Sequence, residues 1–359
     1  MNSFSGLGFK FDPFEHLDSA RDAHLQEYLV IPKAVEITLL DQPIAVFAKP
    51  GGGKSALRIY TARFYGDSRG VRFPVTYVPE MYSTDGNLHF EGIKLSLARA
   101  VFMYLVSYPD LFFGLTPTTK QKIKQILLDL PYGLEFHLNG LTAERFVTDL
   151  EQLLGVSALS GIHTLDRAHQ QMALELENIS IAESSTITLD EGFDLLDDAF
   201  GVKSIHILVD GLDGFVETKP AHALITWIEP LLDILERWDR KNIYLKFFLP
   251  MDNSDVPTVT TLRGLRTAAL EWDDGLLAEV IRRRVFVASG GAFDSLDALS
   301  APDVRNVELI LARQLGEKQK LPRWIILKSR NLLQRAIESR KEWITNEDLF
   351  ARKPSYVVI

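Results

Sequence analysis

Cysteine is absent from the 359-residue chain. Disulfide bonds, thiol nucleophiles and zinc sites with cysteine ligands are therefore excluded. Long apolar runs are also missing: the most apolar stretches, such as 98–106, are far shorter than the roughly 20 residues that a membrane helix needs. The first residues carry acidic groups and no apolar core of signal-peptide length. These absences predict a soluble, cytoplasmic protein that does not associate with membranes.

Basic charge is in short supply. The chain has 39 lysine and arginine residues against 48 acidic ones, a net charge of −9. A general attraction to nucleic acid or to anionic lipid is therefore weak, although the net charge does not exclude binding through a local basic patch. The eight histidines are scattered and form no H-E-x-x-H pair, so a transition-metal site is not expected.

Strand-like and helix-like segments alternate over residues 42–272, and this alternation sets the predicted fold. Short apolar or β-branched runs occupy 42–47, 73–78, 204–209, 243–249 and 267–272, with helical periodicity between them, for example over 56–65, 93–106 and 221–238. Such alternation predicts an α/β fold with a mostly parallel sheet and helices on both faces. From residue 274 onward the pattern is mostly helical.

The one glycine-rich segment, 48–55, reads AKPGGGKS and joins the first strand to a helix. It fits the phosphate-loop pattern G-x-x-x-x-G-K-[ST] except that Ala48 replaces the first glycine. Glycines can turn their backbone N–H groups inward towards phosphate, and the following helix directs its positive end at the same anion. The alternative is a plain glycine-rich turn. The phosphate-binding hypothesis assigns ATP to Pro50, Gly51, Gly52, Gly53, Lys54, Ser55 and Ala56. Lys54 would contact the β- and γ-phosphates, and Ser55 would bind Mg²⁺.

A second chemical feature follows the third predicted strand, where 210–213 reads DGLD. A carboxylate at the end of a buried strand lies where open α/β sheets bind ligands. Asp210 is therefore predicted to join Ser55 at the magnesium ion, through water, and Asp213 to orient or deprotonate the attacking water. Lys54, Asp210 and Asp213 are the predicted catalytic residues. The alternative is a polar turn after a strand.

Together, AKPGGGKS and HILVDGLDG resemble the AAA+/STAND class of P-loop NTPases, in particular small prokaryotic ATPases of the NACHT-like or origin-recognition-like branches. The acidic strand in STAND proteins often continues as D-G-x-D-E, whereas this chain has Gly214 at the last position. That difference leaves the catalytic base open and permits slow hydrolysis. The resemblance implies a P-loop NTPase three-layer sandwich over 42–272 with a helical insertion at about 112–203. It further implies a lead-in at 1–41 near the adenine and a small helical lid over 273–359.

Arginines complete the picture that the resemblance implies. Arg323, after Pro322 at the start of a helix, is similar to the second sensor of AAA+ proteins, which touches the γ-phosphate; the alternative is a surface arginine. Residues 28–31 are the candidate wall for the adenine, or simply a helix end packed on the core. Candidates for an arginine finger are Arg263, Arg266 and the cluster 282–284.

The function that these features favour is an ATP-dependent regulatory switch with ATP and Mg²⁺ as cofactors, in prokaryotic signalling or defence by family analogy. A protein partner or self-association is expected. Three alternatives stay open: a DNA-associated AAA+ ATPase of the origin-recognition or transposition type, a small-molecule kinase, and a module that only binds nucleotide. The charge does not favour DNA, but a locally basic face (Lys318, Lys320, Arg323, Lys328, Arg330) keeps that alternative open.

Overall fold

A computed structural model describes residues 4–68, 70–142, 167–181, 187–216, 221–250, 262, 265–339 and 343–350. The chain divides into two compact units. One, here called the sheet unit, comprises Ile37–Phe47 and Leu57–Ala268. The other, the helical unit, comprises Met1–Glu36, Ala48–Ala56 and Ala269–Ile359.

The sheet is five-stranded and parallel, as the sequence predicts. Its strands are β1 (Ile44–Ala48), β2 (Arg72–Tyr77), β3 (Ser204–Val209), β4 (Ile243–Pro250) and β5 (Arg266–Ala269), in the order β2-β3-β4-β1-β5. In register, Phe73 lies opposite Ile205, and Ile205 lies opposite Ile243. The architecture is α/β and compatible with a P-loop-like sandwich.

Strand burial explains why the sequence signal was strong. Every residue of β1 and β3 is buried, so the strands read as continuous apolar runs with β-branched residues. The connection from β1 to β2 crosses the sheet in one direction. The connections from β2 to β3 and from β3 to β4 cross it in the opposite direction. Since parallel crossovers are right-handed, the connecting helices fall on opposite faces of the sheet.

The two faces of the sheet differ in polarity. One face, with Phe73, Val75, Ile207 and Phe247, belongs to a large apolar core shared with helix α3 (Gly86–Ser107) and the helices that follow. The other face presents polar side chains to helix α2 (Lys54–Gly66). There the ring of Tyr65 stacks on His206 with their centroids 3.8 Å apart. This polar face carries the carboxylate discussed below.

Further helices of the sheet unit lie between β2 and β4. They are α4 (Pro109–Phe113), α5 (Pro117–Leu127), α6 (Leu134–Thr142), α7 (Arg167–Asn178), α8 (Leu189–Phe200), α9 (Ala221–Leu232) and α10 (Leu235–Asp239). The first helix of the chain, α1 (Leu25–Tyr28), belongs to the helical unit. They include the segment predicted as a helical insertion. Thr188 caps α8 and forms a reciprocal capping box with Glu191.

One helix is shorter than the sequence predicts. The periodicity over 221–238 indicates a single helix, but the structure has α9 ending at Leu232 and α10 beginning at Leu235. Pro230 lies inside the last turn of α9. Its missing N–H removes one backbone bond within α9, whereas the interruption at 233–234 lies after it.

The helical unit has its own core, formed by α11 (Asp274–Ala288), α12 (Val307–Arg313), α13 (Pro322–Glu338) and α14 (Asn346–Phe350). Phe4, Phe9 and Phe14 from the N-terminal segment are buried in this core. The backbone N–H of Lys10 donates to the carbonyl of Ala288 at 2.8 Å. The N-terminal segment and the C-terminal helices therefore share one hydrophobic core, which the predicted division into 1–41, 42–272 and 273–359 does not capture. A lid function for 273–359 stays a prediction.

Within the described ranges, none of the helices combines the length and the apolar character that crossing a bilayer would require.

Candidate functional site

The predicted phosphate loop lies between β1 and α2, as the motif requires. Gly51 and Gly53 have φ angles of 80° and 95°, in the left-handed region that favours glycine. The backbone N–H of Gly52 donates to the carbonyl of Lys49 at 2.9 Å, which closes a tight turn. Helix α2 begins at Lys54. The loop thus has the strand–turn–helix setting of a phosphate-binding loop.

Gly52 explains why alanine is accommodated at the first position of the motif. A β-carbon on Gly52 would lie 2.8 Å from the carbonyl oxygen of Lys49 and 3.1 Å from Cβ of Ala48. The bare α-carbon of Gly52 therefore leaves room for the methyl group of Ala48. The departure from the motif at Ala48 is compensated by the glycine at position 52.

Lys54 is held at the base of the loop. Its Nζ donates to the carbonyl oxygens of Ala48 at 3.1 Å and of Lys49 at 3.4 Å, and the side chain is almost fully buried. Ser55 and Ala56 follow as half-buried residues in the first turn of α2, whereas Pro50 is exposed. A buried ammonium beside the N-terminus of a helix gives this site the positive potential that a polyphosphate needs.

Two side chains of the helical unit lie against the loop. The indole Nε1 of Trp272 donates to the carbonyl oxygen of Gly52 at 2.9 Å. The backbone N–H of Arg323 points at the carbonyl of Gly51 at 3.3 Å, and a β-carbon on Gly51 would lie 3.0 Å from Cβ and 3.2 Å from Nε of Arg323. The structure therefore brings predicted residue Arg323 to the predicted loop. We call Ala48–Ala56, Trp272 and Arg323 the loop cradle.

Sequence reasoning missed Trp272. The sequence pattern predicts a strand over 267–272 that ends at Trp272, but β5 ends at Ala269. The next helix, α11, is capped by Asp273, whose carboxylate accepts from the N–H of Leu276 at 2.7 Å. A tryptophan directly before a helix cap, outside any strand, is the signal that could have drawn attention to this position.

The acidic strand end lies in the sheet unit, at the end of β3. Asp210 is 2% exposed, and its Oδ2 accepts from Nε of Arg58 at 3.1 Å. Arg58 is 6% exposed and also reaches the hydroxyl of Thr76 at 3.5 Å. The Arg58 contact was not predicted. It could have been inferred in part, because Arg58 lies four residues after Lys54 and thus on the same side of α2.

The surroundings of the second oxygen of Asp210, Oδ1, show whether this carboxylate fits the predicted role at a magnesium ion. Oδ1 is buried and has no hydrogen-bond partner in the part of the chain that the structure describes. Buried carboxylate oxygens are normally satisfied, so an oxygen of this kind fits a contact to a metal-bound water.

Asp213 differs from Asp210. It lies in the short 3₁₀ helix Leu212–Gly214 and is exposed. Gly211 turns the chain there with φ of 89°, and a β-carbon on it would meet Val78 at 2.7 Å. The turn is thus built around glycine, and Asp213 extends beyond the buried strand end. Its predicted role in orienting water stays a prediction.

Two sequence hypotheses meet competing contacts in the helical unit. Arg284 is buried, donates to the carbonyl of Pro13 at 3.0 Å and pairs with Asp22 at 3.2 Å, so it cannot act as an arginine finger. Its guanidinium also covers the ring of Tyr28, 4.2 Å from the centroid. Of the two alternatives for residues 28–31, this contact favours a helix end packed on the core. Arg263 lies outside the described residues.

The predicted basic face is partly neutralised. Lys320 pairs with Asp274 at 3.2 Å and with Glu317 at 2.9 Å, and these hydrogen bonds raise the pKa of Lys320. Arg330 pairs with Asp12 at 3.0 Å. Each pairing reduces the positive charge that this face offers to a phosphate backbone.

Comparison with known proteins adds little. The chain matches no family model, and no curated protein matches it. Among solved structures it is similar to a chain described as "Structure of Drosophila ORC bound to DNA", with 14% sequence identity and a TM-score of 0.35, over 93% of this chain. This chain spans 64% of the length of that one. A TM-score of this size does not establish a shared fold, and the bound DNA belongs to that complex.

Proposed function

We propose that this chain is a P-loop ATPase of the AAA+/STAND class that binds ATP with Mg²⁺ and works as a nucleotide-dependent switch. The observation that carries the proposal is the loop cradle. Left-handed glycines at 51 and 53, a buried Lys54 and the start of α2 lie together in this loop, and glycine backbone N–H groups, an ammonium and a helix N-terminus are the groups that bind phosphate. This is the arrangement that a triphosphate requires.

Each residue has a chemical task in this proposal. The loop N–H groups and Lys54 bind the β- and γ-phosphates, and the Ser55 hydroxyl is a magnesium ligand. Asp210 would face the ion through Oδ1, which has no hydrogen-bond partner among the described residues, while Arg58 holds the other oxygen in place. Mg²⁺, when bound, neutralises phosphate charge as the terminal phosphoryl group leaves.

Slow turnover is part of the proposal. A general base must reach the attacking water, and Asp213 is the nearest acid after Asp210 in the chain. Asp213 is exposed, and Gly214 follows it where STAND proteins often carry another acid. Slow hydrolysis suits a switch, because the ATP-bound state then persists long enough to be read by a partner or by a second copy.

Switching requires a group that contacts ATP and ADP differently. Arg323 is the candidate, because its side chain lies beside Gly51 of the loop. A guanidinium can form two parallel hydrogen bonds with phosphate oxygens, so it can report the third phosphate. The start of α13, where Arg323 lies, would transmit that contact to the helical unit.

The test measures MgATP binding by calorimetry, phosphate release, and oligomeric state by light scattering with and without nucleotide. Wild type is expected to bind ATP, to turn it over slowly, and to change assembly only with nucleotide. Lys54→Ala should lose binding, and Asp210→Ala should keep nucleotide binding but lose hydrolysis. Binding without any hydrolysis would support the alternative of a binding-only module. Absence of magnesium-dependent ATP binding by wild type would refute the proposal.

A further inference from the structure

We propose that Trp272 is a positioning residue of the phosphate loop, a role that rests on the proposed function. The geometry is one hydrogen bond and one packing contact. The indole Nε1 donates to the Gly52 carbonyl at 2.9 Å, and a β-carbon on Gly53 would lie 3.6 Å from Cζ2 of the same ring. The tryptophan therefore lies along the peptide bond that joins Gly52 to Gly53.

That peptide bond determines where one phosphate donor points. A peptide group is planar and trans, so its C=O and N–H point in opposite directions. Because Trp272 holds the Gly52 carbonyl, it also fixes the Gly53 N–H to point away from the indole. Gly52 and Gly53 have no side chains to restrict their backbone, and φ of Gly53 is 95°. An outside hydrogen bond is thus needed to select one orientation of this peptide.

The Gly51 carbonyl is held in the same way, by the backbone N–H of Arg323 at 3.3 Å. Two successive carbonyls of the loop therefore bond to Trp272, just before α11, and to Arg323, in the first turn of α13. Lys320, just before α13, pairs with Asp274 at the start of α11 at 3.2 Å. The two anchors are thus joined to each other, and the loop conformation is coupled to the C-terminal helices of the helical unit.

The environment of Trp272 gives the proposal a spectroscopic readout. Its indole N–H bonds to the loop itself, so nucleotide binding should change its emission. Of the other four tryptophans, Trp227 and Trp238 are buried in the core of the sheet unit, Trp343 is exposed, and Trp324 is half-buried on α13, directly after Arg323 in the chain. Trp343→Phe is therefore a matched control that removes a tryptophan but leaves the loop cradle unchanged.

The experiment compares wild type, Trp272→Phe and Trp343→Phe by calorimetry with MgATP and MgADP, by tryptophan emission and by thermal unfolding. Loss of one positioning hydrogen bond should lower the affinity for both nucleotides by roughly threefold to tenfold. In a Trp324→Phe background, which removes the tryptophan next to Arg323, Trp272→Phe should also lose the nucleotide-dependent emission change, whereas Trp343→Phe keeps both properties. If Trp272→Phe does not fold, β-(3-benzothienyl)alanine at position 272 keeps the ring shape and removes only the N–H.

The outcomes separate the two proposals. If wild type binds ATP and the position-272 variants bind it equally well, the positioning role is wrong and the ATPase proposal stands. A lower unfolding temperature with unchanged affinity has the same meaning, because the indole then serves packing alone. If wild type binds no ATP, the proposed function itself fails and the role of Trp272 fails with it.

Discussion

Arg58 and Asp210, 152 residues apart in sequence, form an ion pair with 3.1 Å between Nε and Oδ2. Their side chains are 8% and 3% exposed. The pair links the second turn of α2 to the end of β3, on the polar face of the sheet. One carboxylate oxygen is thus committed to the fold, and the other is the one that we assign to magnesium-bound water.

Removing Arg58 should be costly to the fold. Arg58→Met leaves the Asp210 carboxylate buried without its charge partner, and breaking such a pair is expected to lower the free energy of unfolding by about 3 kcal/mol. The double variant with Asp210→Leu should recover much of that loss. Urea denaturation measures both. Arg240→Met, which removes an exposed partner of Glu236, is the control and should change stability by less than about 1 kcal/mol. Equal effects from Arg58 and Arg240 would contradict a structural role for the buried pair.

Lys246 adds a pH-dependent term to stability. It is fully buried on β4, and its Nζ donates to the carbonyls of Leu40 and Gln42. Burial lowers its pKa from 10.5 to about 7, partly opposed by Asp41 and reinforced by Arg72. His206, also buried, lies near the same Asp41 at 3.3 Å. A neutral amine still has two N–H donors for the two carbonyls.

The sign of the effect follows from proton counts. Between pH 7 and about pH 10 the unfolded chain holds the Lys246 proton and the folded chain does not, so stability rises with pH in this window, by up to about 1.4 kcal/mol per pH unit. Below pH 7 both states are protonated and the contribution is constant. We expect the stability difference between wild type and Lys246→Met to grow in favour of wild type from pH 7 to pH 10. Parallel stability curves for the two proteins would contradict the lowered pKa.

Gly52→Ala should disrupt nucleotide binding. The added methyl group would lie 2.8 Å from the backbone oxygen of Lys49, so the loop must shift and its donors with it. We expect the affinity for MgATP to fall by about tenfold or more. Gly316→Ala, where an added methyl group meets nothing within 4 Å, is the matched control. An unchanged affinity in Gly52→Ala would show that the turn is not part of the binding site.

Arg323→Ala should reduce discrimination between ATP and ADP. If the guanidinium contacts the third phosphate, its loss should lower the affinity for MgATP by about tenfold, because charged hydrogen bonds contribute more than neutral ones. The affinity for MgADP should stay nearly unchanged. Competition binding with both nucleotides measures the ratio. Arg313→Ala, an exposed arginine on α12, should leave the ratio unchanged. An equal loss of affinity for both nucleotides would show that Arg323 does not distinguish the third phosphate.

The parts of the fold that sequence predicts best are those governed by local chemistry. The strand over 204–209 agrees with β3 at both ends, because an apolar β-branched run is followed directly by a glycine turn. The strand–loop–helix around Lys54 was predicted from glycines and lysine in a fixed order, and β1 and α2 agree to within about two residues. Prediction failed within 221–238, where the chain leaves the helical conformation between Leu232 and Leu235 although the apolar period continues.

Long-range pairings could not be predicted in the same way. Nothing local to Arg58 names Asp210 as its partner, and nothing local to Trp272 indicates that it bonds to Gly52, 220 residues away. The burial of Phe4, Phe9 and Phe14 with the C-terminal helices is also a tertiary fact. For the candidate site, local sequence therefore predicts the loop and the acid, whereas the residues that hold each in place are visible only in the fold.

The central claim is that residues 48–56 bind the phosphates of ATP. The most direct test is calorimetric titration of wild type, Lys54→Ala and Lys122→Ala with MgATP. Lys122, an exposed lysine of α5 outside the loop cradle, is the control. We expect wild type and Lys122→Ala to bind in the micromolar to millimolar range and Lys54→Ala to show no binding. Absence of binding in wild type, or equal binding by wild type and Lys54→Ala, would contradict the claim.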